Sequence, residues 1–165
     1  MNEPVRLATD EDLPAIRSIY NQAILAGGMT ADVAPVSLEE RATWLHRHDE
    51  ASRPVWVAIR EEKVVGYASL SDYREGRAAV RTTAEVSFFV DLSERRRGIG
   101  NQLLAHAIAA APSLGIEQLI AIVLAGNEPS RGLLLRHGFE LWGRFPRVAR
   151  IADVPTDHLY FGRLV

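Results

Sequence analysis

The sequence predicts one mixed α/β domain, and two observations carry this prediction. Short runs rich in β-branched and aromatic residues alternate along the chain with segments whose apolar residues recur every three or four positions. Of the 165 residues, 47% are hydrophobic and 24% are charged, which is typical of a globular protein. A chain of this length buries one core and is too short for two ordinary domains, so residues 1–165 are predicted as a single domain with the element order β-α-α-β-β-β-α-β-α-β-β.

The first half of the chain is predicted to begin with a short strand, VRLAT, followed by two helices. The first helix, in TDEDLPAIRSIYNQAILAGG, has a cap at Thr9 or Asp10 and ends at a glycine pair. In the second helix, PVSLEERATWLHRH, Ser37 precedes Glu40 by three residues, which is the pattern of a capping box. PVWVAIREEKVVGYASLSDY is predicted as two strands joined by a turn at REEK.

The second half alternates strands and helices. TTAEVSFFV is predicted as a strand, and GIGNQLLAHAIAAA as a helix stopped by Pro112 and Gly115. The near-continuous apolar run IEQLIAIVL is typical of a strand covered on both faces. NEPSRGLLLRHG is predicted as a short helix with a cap at Asn127 and an end at Gly138, and FELWGRF and HLYFGRLV as the closing strands.

Composition argues against several classes of function. The balance of 19 Lys and Arg against 21 Asp and Glu gives a net charge of -2, which disfavours general nucleic-acid binding. The absence of cysteine excludes disulfides, cysteine metal ligands and a covalent cysteine-acyl intermediate. The N-terminal residues lack the pattern of a secretory signal, and no apolar run is long enough to span a bilayer. We therefore expect a cytoplasmic protein without nucleic-acid or membrane partners.

The histidines do not predict a metal site, because no two of them share a helix or strand face with a carboxylate at ligand spacing. His46 and His48 are expected on the surface of the second helix, and His106 is expected to be structural. His137 is expected to be the C-terminal residue of the short helix, where the helix dipole favours it.

The stretch SERRRGIGNQLL, residues 93–104, lies between a predicted strand and a predicted helix. Backbone amides at a helix N-terminus bind anions, and glycine lets the backbone approach closely. The stretch does not match the dinucleotide-binding pattern, because Leu103 occupies the third glycine position, and no Gly-Lys-Ser/Thr follows as in a Walker A loop. From the loop alone, a site for a phosphate-bearing cofactor and a solvated charged turn are both open.

Three motifs extend this loop into a recognisable set. Arg95-x-x-Gly98-x-Gly100, placed after AEVSFFV, resembles the Arg/Gln-x-x-Gly-x-Gly/Ala signature of the GNAT N-acetyltransferase superfamily. Asn127 in NEPS and the later GFELWG resemble two further patterns of that superfamily. TTAEVSFFVDLSERRRGIG, TADVAPVSLEERATWL and Arg77 in YREGRAAVRTTAE are most similar to phosphinothricin acetyltransferases and L-amino-acid N-acyltransferases.

This resemblance covers residues 4–143, is weak beyond them, and implies a fold and a cosubstrate. The implied fold is GNAT-type: a mixed, mostly antiparallel central sheet of about six to seven strands, flanked by helices that number about four. The implied acyl donor is acetyl-CoA; in the family, the strand before the loop splays from its neighbour and holds the pantetheine arm, and the loop binds the pyrophosphate. The corresponding cofactor-binding residues are Phe88, Phe89, Val90, Arg95, Arg96, Arg97, Gly98, Ile99, Gly100, Asn101, Asn127 and Ser130.

The implied activity is transfer of an acetyl group from acetyl-CoA to the primary amine of a small molecule, such as an amino acid or an analogue, by direct attack in a ternary complex. Glu85 is the candidate catalytic base. Strand alternation places Glu85 on one face with Ser87 and Phe89, and a carboxylate on a central strand is costly without a partner or a task. An ion pair at a strand end is the alternative role for Glu85.

The sequence lacks the general acid that the resemblance would supply. Superfamily members carry Tyr or His four residues after the position of Ser130, where this chain has Leu134. The leaving thiolate therefore departs unassisted or takes its proton from water, from Tyr160 or from His158.

Four residues are candidates for binding the acceptor: Met29, Thr30, Tyr73 and Arg77. Arg77 suits a bidentate contact with a substrate carboxylate, and an ordinary surface arginine is the equal alternative.

Two further expectations depend on the resemblance. Because position 134 is not an acid, an acyl-CoA-binding sensor or regulatory module of the same fold is an alternative to the enzyme, and Glu85 argues against it. Dimers are common in the resembling subfamily, so a homodimer through the apolar C-terminal strands is also expected. An ATP-binding protein is disfavoured by the missing Walker lysine.

Overall fold

The computed structural model describes residues 4–165 and confirms the predicted fold class and order of elements. The strands of its seven-stranded sheet are β1 Val5–Leu7, β2 Val55–Arg60, β3 Lys63–Asp72, β4 Thr83–Val90, β5 Gln118–Leu124, β6 Glu140–Ile151 and β7 Val154–Leu164. The α-helices of the described residues are α1 Leu13–Ala26, α2 Leu38–His46, α3 Ile99–Ala110 and α4 Glu128–Arg136.

The sheet has the strand order β1-β2-β3-β4-β5-β7-β6, and the pairing of β4 with β5 is parallel while all other pairings are antiparallel. The parallel pairing covers only three residues and ends where Glu85 faces Ile120. Beyond that point β4 continues to Val90 against β3, and β5 continues to Leu124 against β7. The two central strands therefore separate after Glu85, as the resemblance implied.

Two hydrophobic clusters cover the two faces of the sheet. Residues of α3 and α4 pack on one face with Val86, Phe88 and Val90 of β4. Residues of α1 and α2 pack on the other face with Tyr67 of β3 and Phe89 of β4. Neighbouring residues of β4 thus point to opposite faces, as the alternation predicted.

Local signals set several element ends as predicted. The amide of Ser37 donates to Glu40 Oε2 at 2.7 Å and the amide of Glu40 donates to Ser37 Oγ at 3.1 Å, which completes the capping box of α2. The turn between β2 and β3 consists of Glu61 and Glu62 with φ of 48° and 63°, the left-handed pair that a two-residue hairpin turn requires. The first helix starts later than its predicted cap at Thr9 or Asp10, because residues 10–12 form a 3-10 turn and α1 begins at Leu13.

The closing strands were predicted too short. FELWGRF and HLYFGRLV are only the paired ends of a long hairpin, which continues through residues 146–157 to a turn at Ala152 and Asp153. Pro146 and Pro155 argue against strands in this segment because proline cannot donate a ladder hydrogen bond. The structure accommodates Pro146 at an irregularity between Phe145 and the next paired residue of β6.

No α-helix among residues 4–165 is both long enough and apolar enough to cross a membrane.

Candidate active site

The candidate site is the opening between β4 and β5. The amide of Asp91, just beyond β4, donates to the carbonyl of Val65 at 2.9 Å, so alternate residues of β4 bond to β3. The intervening residues Val86, Phe88 and Val90 turn their backbone groups toward the β5 side. The last parallel pair, Glu85 with Ile120, uses the Val86 amide, so the Val86 carbonyl and the backbone groups of Phe88 and Val90 are left for a flexible ligand arm between the strands.

Phe89, also predicted to bind the cofactor, occupies a different position from Phe88 and Val90. Its ring stacks on Tyr67 at 5.4 Å and meets the edge of Tyr20 at 5.1 Å between centroids. Its backbone pairs with Tyr67 across β3. Phe89 therefore belongs to the wall under α1 and α2, and its side chain and backbone both point away from the opening.

Glu85 stands at the point where β4 and β5 separate. Burial raises the pKa of its carboxyl above the usual range. Tyr160 of β7 is close enough that Glu85 and Tyr73, together with the stronger effect of burial, raise the pKa of its phenol. The predicted base, the predicted acceptor residue Tyr73 and the candidate acid Tyr160 are thus brought together.

The N-terminus of α3 is open to an anion. Gly98 has φ +84°, and the first helical hydrogen bond runs from the amide of Gln102 to the carbonyl of Gly98 at 3.0 Å. The amides of Ile99, Gly100 and Asn101 therefore precede the helical ladder. No side chain caps α3, whereas Ser37 caps α2 in the same structure.

The three loop arginines have different surroundings. Arg97 forms an ion pair with Glu94 at 3.2 Å, and Arg60 reaches the same carboxylate at 2.7 Å. Arg95 contacts the sulfur of Met29, which brings one predicted cofactor residue against one predicted acceptor residue. Arg96 is exposed with φ 62°. Arg95 and Arg96 are thus the two loop arginines without an acidic partner among residues 4–165.

Asn127 and Ser130 form a helix cap. The Oδ1 atom of Asn127 accepts the amide of Ser130 at 3.3 Å, as the predicted cap of α4 requires. Asn127 is largely buried, and its side-chain amide group is left to donate to another acceptor.

Leu134 is fully buried in the cluster under α3 and α4, so its position contributes packing and no proton. His137 ends α4 as predicted, and its Nε2 atom lies 2.8 Å from Oδ1 of Asn101, which ties α4 to the first turn of α3. His106 packs against the ring of Trp56 at 5.1 Å, in keeping with its predicted structural role.

The predicted acceptor residues divide into two groups. Thr30 and Met29 lie in the loop after α1, where the Thr30 hydroxyl is 3.0 Å from the hydroxyl of Tyr20. Arg77 is exposed in the connection from β3 to β4 and lines a cavity of about 310 Å³ together with Arg74 and Arg81. A larger cavity, of about 780 Å³, lies at the end of α4 and its lining does not include Glu85.

Sequence reasoning missed three polar side chains on the face that carries Glu85. His48, expected at the surface, is half-buried: its Nδ1 donates to the carbonyl of Trp44 at 2.8 Å, and its Nε2 lies 3.2 Å from Oγ of Ser71, the residue opposite Glu85. Arg41 and Tyr67 are buried. For Arg41 the sequence did contain a signal: it lies four residues before Leu45, which places both residues on the core-facing side of α2.

Residues 4–165 contain no group of three or more His, Asp and Glu side chains that could hold a metal ion. That no metal takes part in the reaction stays a prediction.

The sequence pattern of the Acetyltransferase (GNAT) family matches residues 14–139, which is most of the chain. This chain belongs to the GNAT acetyltransferase family. The opening of β4 from β5 and the uncapped, glycine-rich start of α3 fit the extended, phosphate-bearing donor of this family, acetyl-CoA.

Individual relatives extend the match along almost the whole GNAT chain. YwnH of Bacillus subtilis is 41% identical over 160 residues, which are 96% of this chain and 97% of the relative. The L-methionine sulfoximine/L-methionine sulfone acetyltransferase of Pseudomonas aeruginosa is 37% identical over 155 residues, covering 91% of this chain and 87% of the relative. The similarity therefore continues past residue 143, where the motif-based resemblance faded.

A solved structure agrees with both the fold and the donor. The phosphinothricin acetyltransferase of Sinorhizobium meliloti, crystallised in complex with AcCoA, matches with a TM-score of 0.94 and 30% identity over 100% of this chain and 89% of that one. This GNAT protein is an acetyl-CoA-dependent N-acetyltransferase of small-molecule amines. The alternative of a non-catalytic sensor has no support among these relatives, which are named as enzymes.

Proposed function

We propose that this enzyme acetylates the α-amino group of an L-amino acid or a close analogue. Relatives at 37% and 30% identity carry names that specify methionine sulfoximine, methionine sulfone and phosphinothricin. The single observation that carries the proposal is the half-buried Glu85 at the divergence of β4 and β5, beside Tyr73 and Tyr160. An acceptor amine there adjoins both a base and the backbone opening for the donor.

On the donor side, the chain supplies backbone groups and charge. The amides of Ile99 to Asn101 bind the pyrophosphate, and Arg95 and Arg96 add positive charge. The carbonyl of Val86 and the backbone of Phe88 and Val90, which lie beyond the pairing with β5, hold the pantetheine arm, and the free amides among them polarise the thioester carbonyl. Asn127 and Ser130 position the start of α4 beside that arm.

On the acceptor side, Glu85 takes a proton from the ammonium group, directly or through one water. The neutral nitrogen attacks the thioester carbonyl carbon and a C–N bond forms, which leaves the nitrogen with one proton too many. Glu85 has by then passed its first proton to solvent and takes this second one, directly or through water, and the C–S bond breaks as the tetrahedral intermediate collapses. Tyr160 donates its phenolic proton to the departing sulfur, and solvent returns a proton to Tyr160. The high pKa of Tyr160 keeps this donor protonated at neutral pH.

Acceptor recognition is assigned to the surrounding loops. Arg77 binds the α-carboxylate through its planar fork, supported by the positive field of Arg74 and Arg81 at the same cavity. Met29, Thr30 and Tyr73 line the remainder of the entrance. The experiment that tests the function is a CoA-release assay of the purified protein over a panel of free amino acids, their amides and simple amines. Preference for free amino acids supports the proposal, and turnover of simple amines alone contradicts it.

The proposal includes the state of the protein in the cell. Residues 1–165 form one acetyltransferase domain that works in the cytoplasm, where acetyl-CoA is available, without nucleic-acid or membrane partners. A homodimer forms through the β6–β7 hairpin, which exposes a set of large apolar side chains that a second copy would cover: Leu141, Trp142, Phe145, Val148 and Val154. Cell fractionation tests the location, and sedimentation tests the dimer.

A further inference from the structure

A buried arginine without an acceptor lies on the same side of the sheet as Glu85. Arg41 of α2 is 5% exposed, and its guanidinium carbon lies 4.0 Å from the ring centre of Tyr20 and 4.5 Å from that of Trp44. Its side chain makes no hydrogen bond and no ion pair with residues 4–165, and its Nε atom is fully buried. Two aromatic faces stabilise the cation in part, but its buried Nε donor has no partner and no group of the described residues accepts from its terminal nitrogens.

A second orphaned donor, on Tyr67, shares a neighbour with Arg41: the Trp44 ring that lies under the guanidinium is 5.8 Å from the ring of Tyr67. The hydroxyl of Tyr67 is completely buried and has no hydrogen-bond partner. Burial raises the pKa of Tyr67, and the nearby charge of Arg41 lowers it in part. Native proteins leave only a few buried polar groups per hundred residues without a partner, and two of the three such side-chain atoms among residues 4–165 belong to Arg41 and Tyr67. Their nearness to each other indicates an acceptor that binds between them.

The position of this pair connects it with the acceptor side of the enzyme. Tyr67 faces Phe89 across β3 and β4, Ser69 faces Ser87 and Ser71 faces Glu85, so all six side chains stand on the face that α1 and α2 cover. Tyr20, which stacks under Arg41, is bonded through its hydroxyl to Thr30 and Asp32 of the loop after α1. The pair therefore lies between that loop and the strand that carries the base.

We propose that Arg41 and Tyr67 form a subsite for an oxyanion, such as a side-chain carboxylate, carried by the acceptor at the end remote from its amine. Both groups present donors, and the guanidinium adds a positive charge that an oxyanion satisfies better than a neutral amide. Tyr67 faces Phe89, four residues along β4 from Glu85, whereas Arg77 is assigned to the α-carboxylate at a different place, so the subsite takes a distal group of the acceptor. The subsite rests on the proposed function and adds an acceptor with a second anionic group.

The test compares acceptors that differ only in distal charge. The ratio of kcat/KM for L-glutamate to that for L-glutamine is measured in the wild type, Arg41→Met and Tyr67→Phe. Methionine retains an unbranched apolar stem between the two rings. We expect each variant to lower the ratio by about tenfold, the value of one charge-assisted hydrogen bond. Arg47→Met is the matched control, because Arg47 is exposed at the end of the same helix, and it leaves the ratio unchanged.

A stability measurement separates binding from folding. Since the Tyr67 hydroxyl has no partner in the structure, Tyr67→Phe is expected to keep or raise the Tm of the ligand-free protein while it lowers the ratio. A lower Tm, with the ratio unchanged, would assign the hydroxyl to folding and overturn its part in the subsite. Circular dichroism checks that Arg41→Met is folded.

The Tm of the wild type and of Arg41→Met is also measured with added sodium sulfate and with added glutarate. This readout does not depend on turnover. Stabilisation of the wild type alone, with a lowered glutamate ratio in the variant, supports the subsite. Sulfate stabilisation with an unchanged ratio means that a free anion is bound, which overturns the assignment to the acceptor. Equal ratios and equal stabilisation in both proteins overturn the subsite altogether. If the wild type acetylates no amino acid, the proposed function fails. The subsite is then still tested by whether glutarate raises the Tm of the wild type more than that of Arg41→Met.

Discussion

Glu85 is the proposed catalytic base, and its environment leads to a prediction about the pH dependence of the rate. A glutamate accepts a proton only when ionised, and burial raises the pKa of Glu85, so kcat/KM should rise over a higher pH range than an ordinary glutamate would give. Glu85→Gln should lower kcat/KM by about 100-fold and remove this rise. Initial rates measured across pH with saturating acetyl-CoA check the prediction, and an unchanged profile would assign the base elsewhere.

Glu85→Gln, which should lower activity, should raise the stability of the protein. The folded-state pKa of Glu85 lies above its unfolded value, so the unfolded state binds fewer protons between the two values and stability falls as pH rises through that window. Glu85→Gln should therefore be more stable than the wild type above the window and equal to it below. Chemical denaturation at several pH values measures the difference, and a variant less stable at neutral pH would show that Glu85 has a structural partner.

Tyr160 is the proposed general acid, in place of the buried Leu134. Tyr160→Phe should lower kcat by about tenfold or more and leave KM for acetyl-CoA unchanged, because the phenol acts on the leaving sulfur. Tyr73→Phe is the matched control: it removes a hydroxyl from the same neighbourhood and should change the acceptor KM instead. Equal kcat values in wild type and Tyr160→Phe would mean that water protonates the thiolate.

At the scale of elements, the proposed donor site is formed jointly by the start of α3 and the divergence of β4 from β5. An uncapped helix N-terminus is stabilised by an anion, and Gly98 supplies the left-handed turn that aims the free amides outward. In the proposed site neither element holds the donor alone, since α3 provides for the phosphates and β4 for the arm. Beyond Glu85, β4 stays paired with β3 and β5 stays paired with β7, so each central strand follows its own neighbour and the two separate.

Gly98→Ala tests the helix start. The change places a Cβ at φ +84°, which costs about 1 kcal/mol, and it should raise KM for acetyl-CoA several-fold through displacement of the amides. Gly115→Ala is the control, because Gly115 also has a left-handed φ, of +72°, with no atom within 4 Å of an added Cβ, but lies beyond the far end of α3. A KM that rises equally in both variants would assign the effect to strain alone.

At the scale of the whole molecule, the β6–β7 hairpin extends the sheet with a largely exposed surface. Val148 is 58% exposed on β6, the edge strand. If the hairpin forms the dimer, a carboxylate there would be buried without a partner, so Val148→Glu should weaken the dimer by at least about tenfold. Sedimentation across protein concentrations measures this. Leu25→Glu, an equally apolar and 75% exposed site on α1, should have no effect; a monomeric wild type would contradict the dimer.

Local patterns in the sequence determined the elements, the capping box of α2, the turn after β2 and the glycine-rich start of α3. These features depend on residues a few positions apart, so backbone geometry and residue type suffice to predict them. The motifs around Gly98 and Asn127 also sufficed to predict the family and acetyl-CoA. The length of the last hairpin was missed because Pro146 and Pro155 disfavour strands locally, while pairing along its partner strand outweighs that preference.

Tertiary structure alone decided which distant side chains meet. Tyr160 stands on the same sheet face as Glu85 only because β7 inserts beside β5, since Glu85 pairs with Ile120 and Tyr160 with Ile122. Arg41 and Tyr67 both contact Trp44 only because α2 packs on β3. Such contacts join residues far apart in the chain, and no periodic pattern in the sequence predicts them. Sequence therefore specified the fold and the donor site, which are built from local backbone geometry. The acceptor site is built from side chains of separate elements, and its charge balance emerged only from their packing.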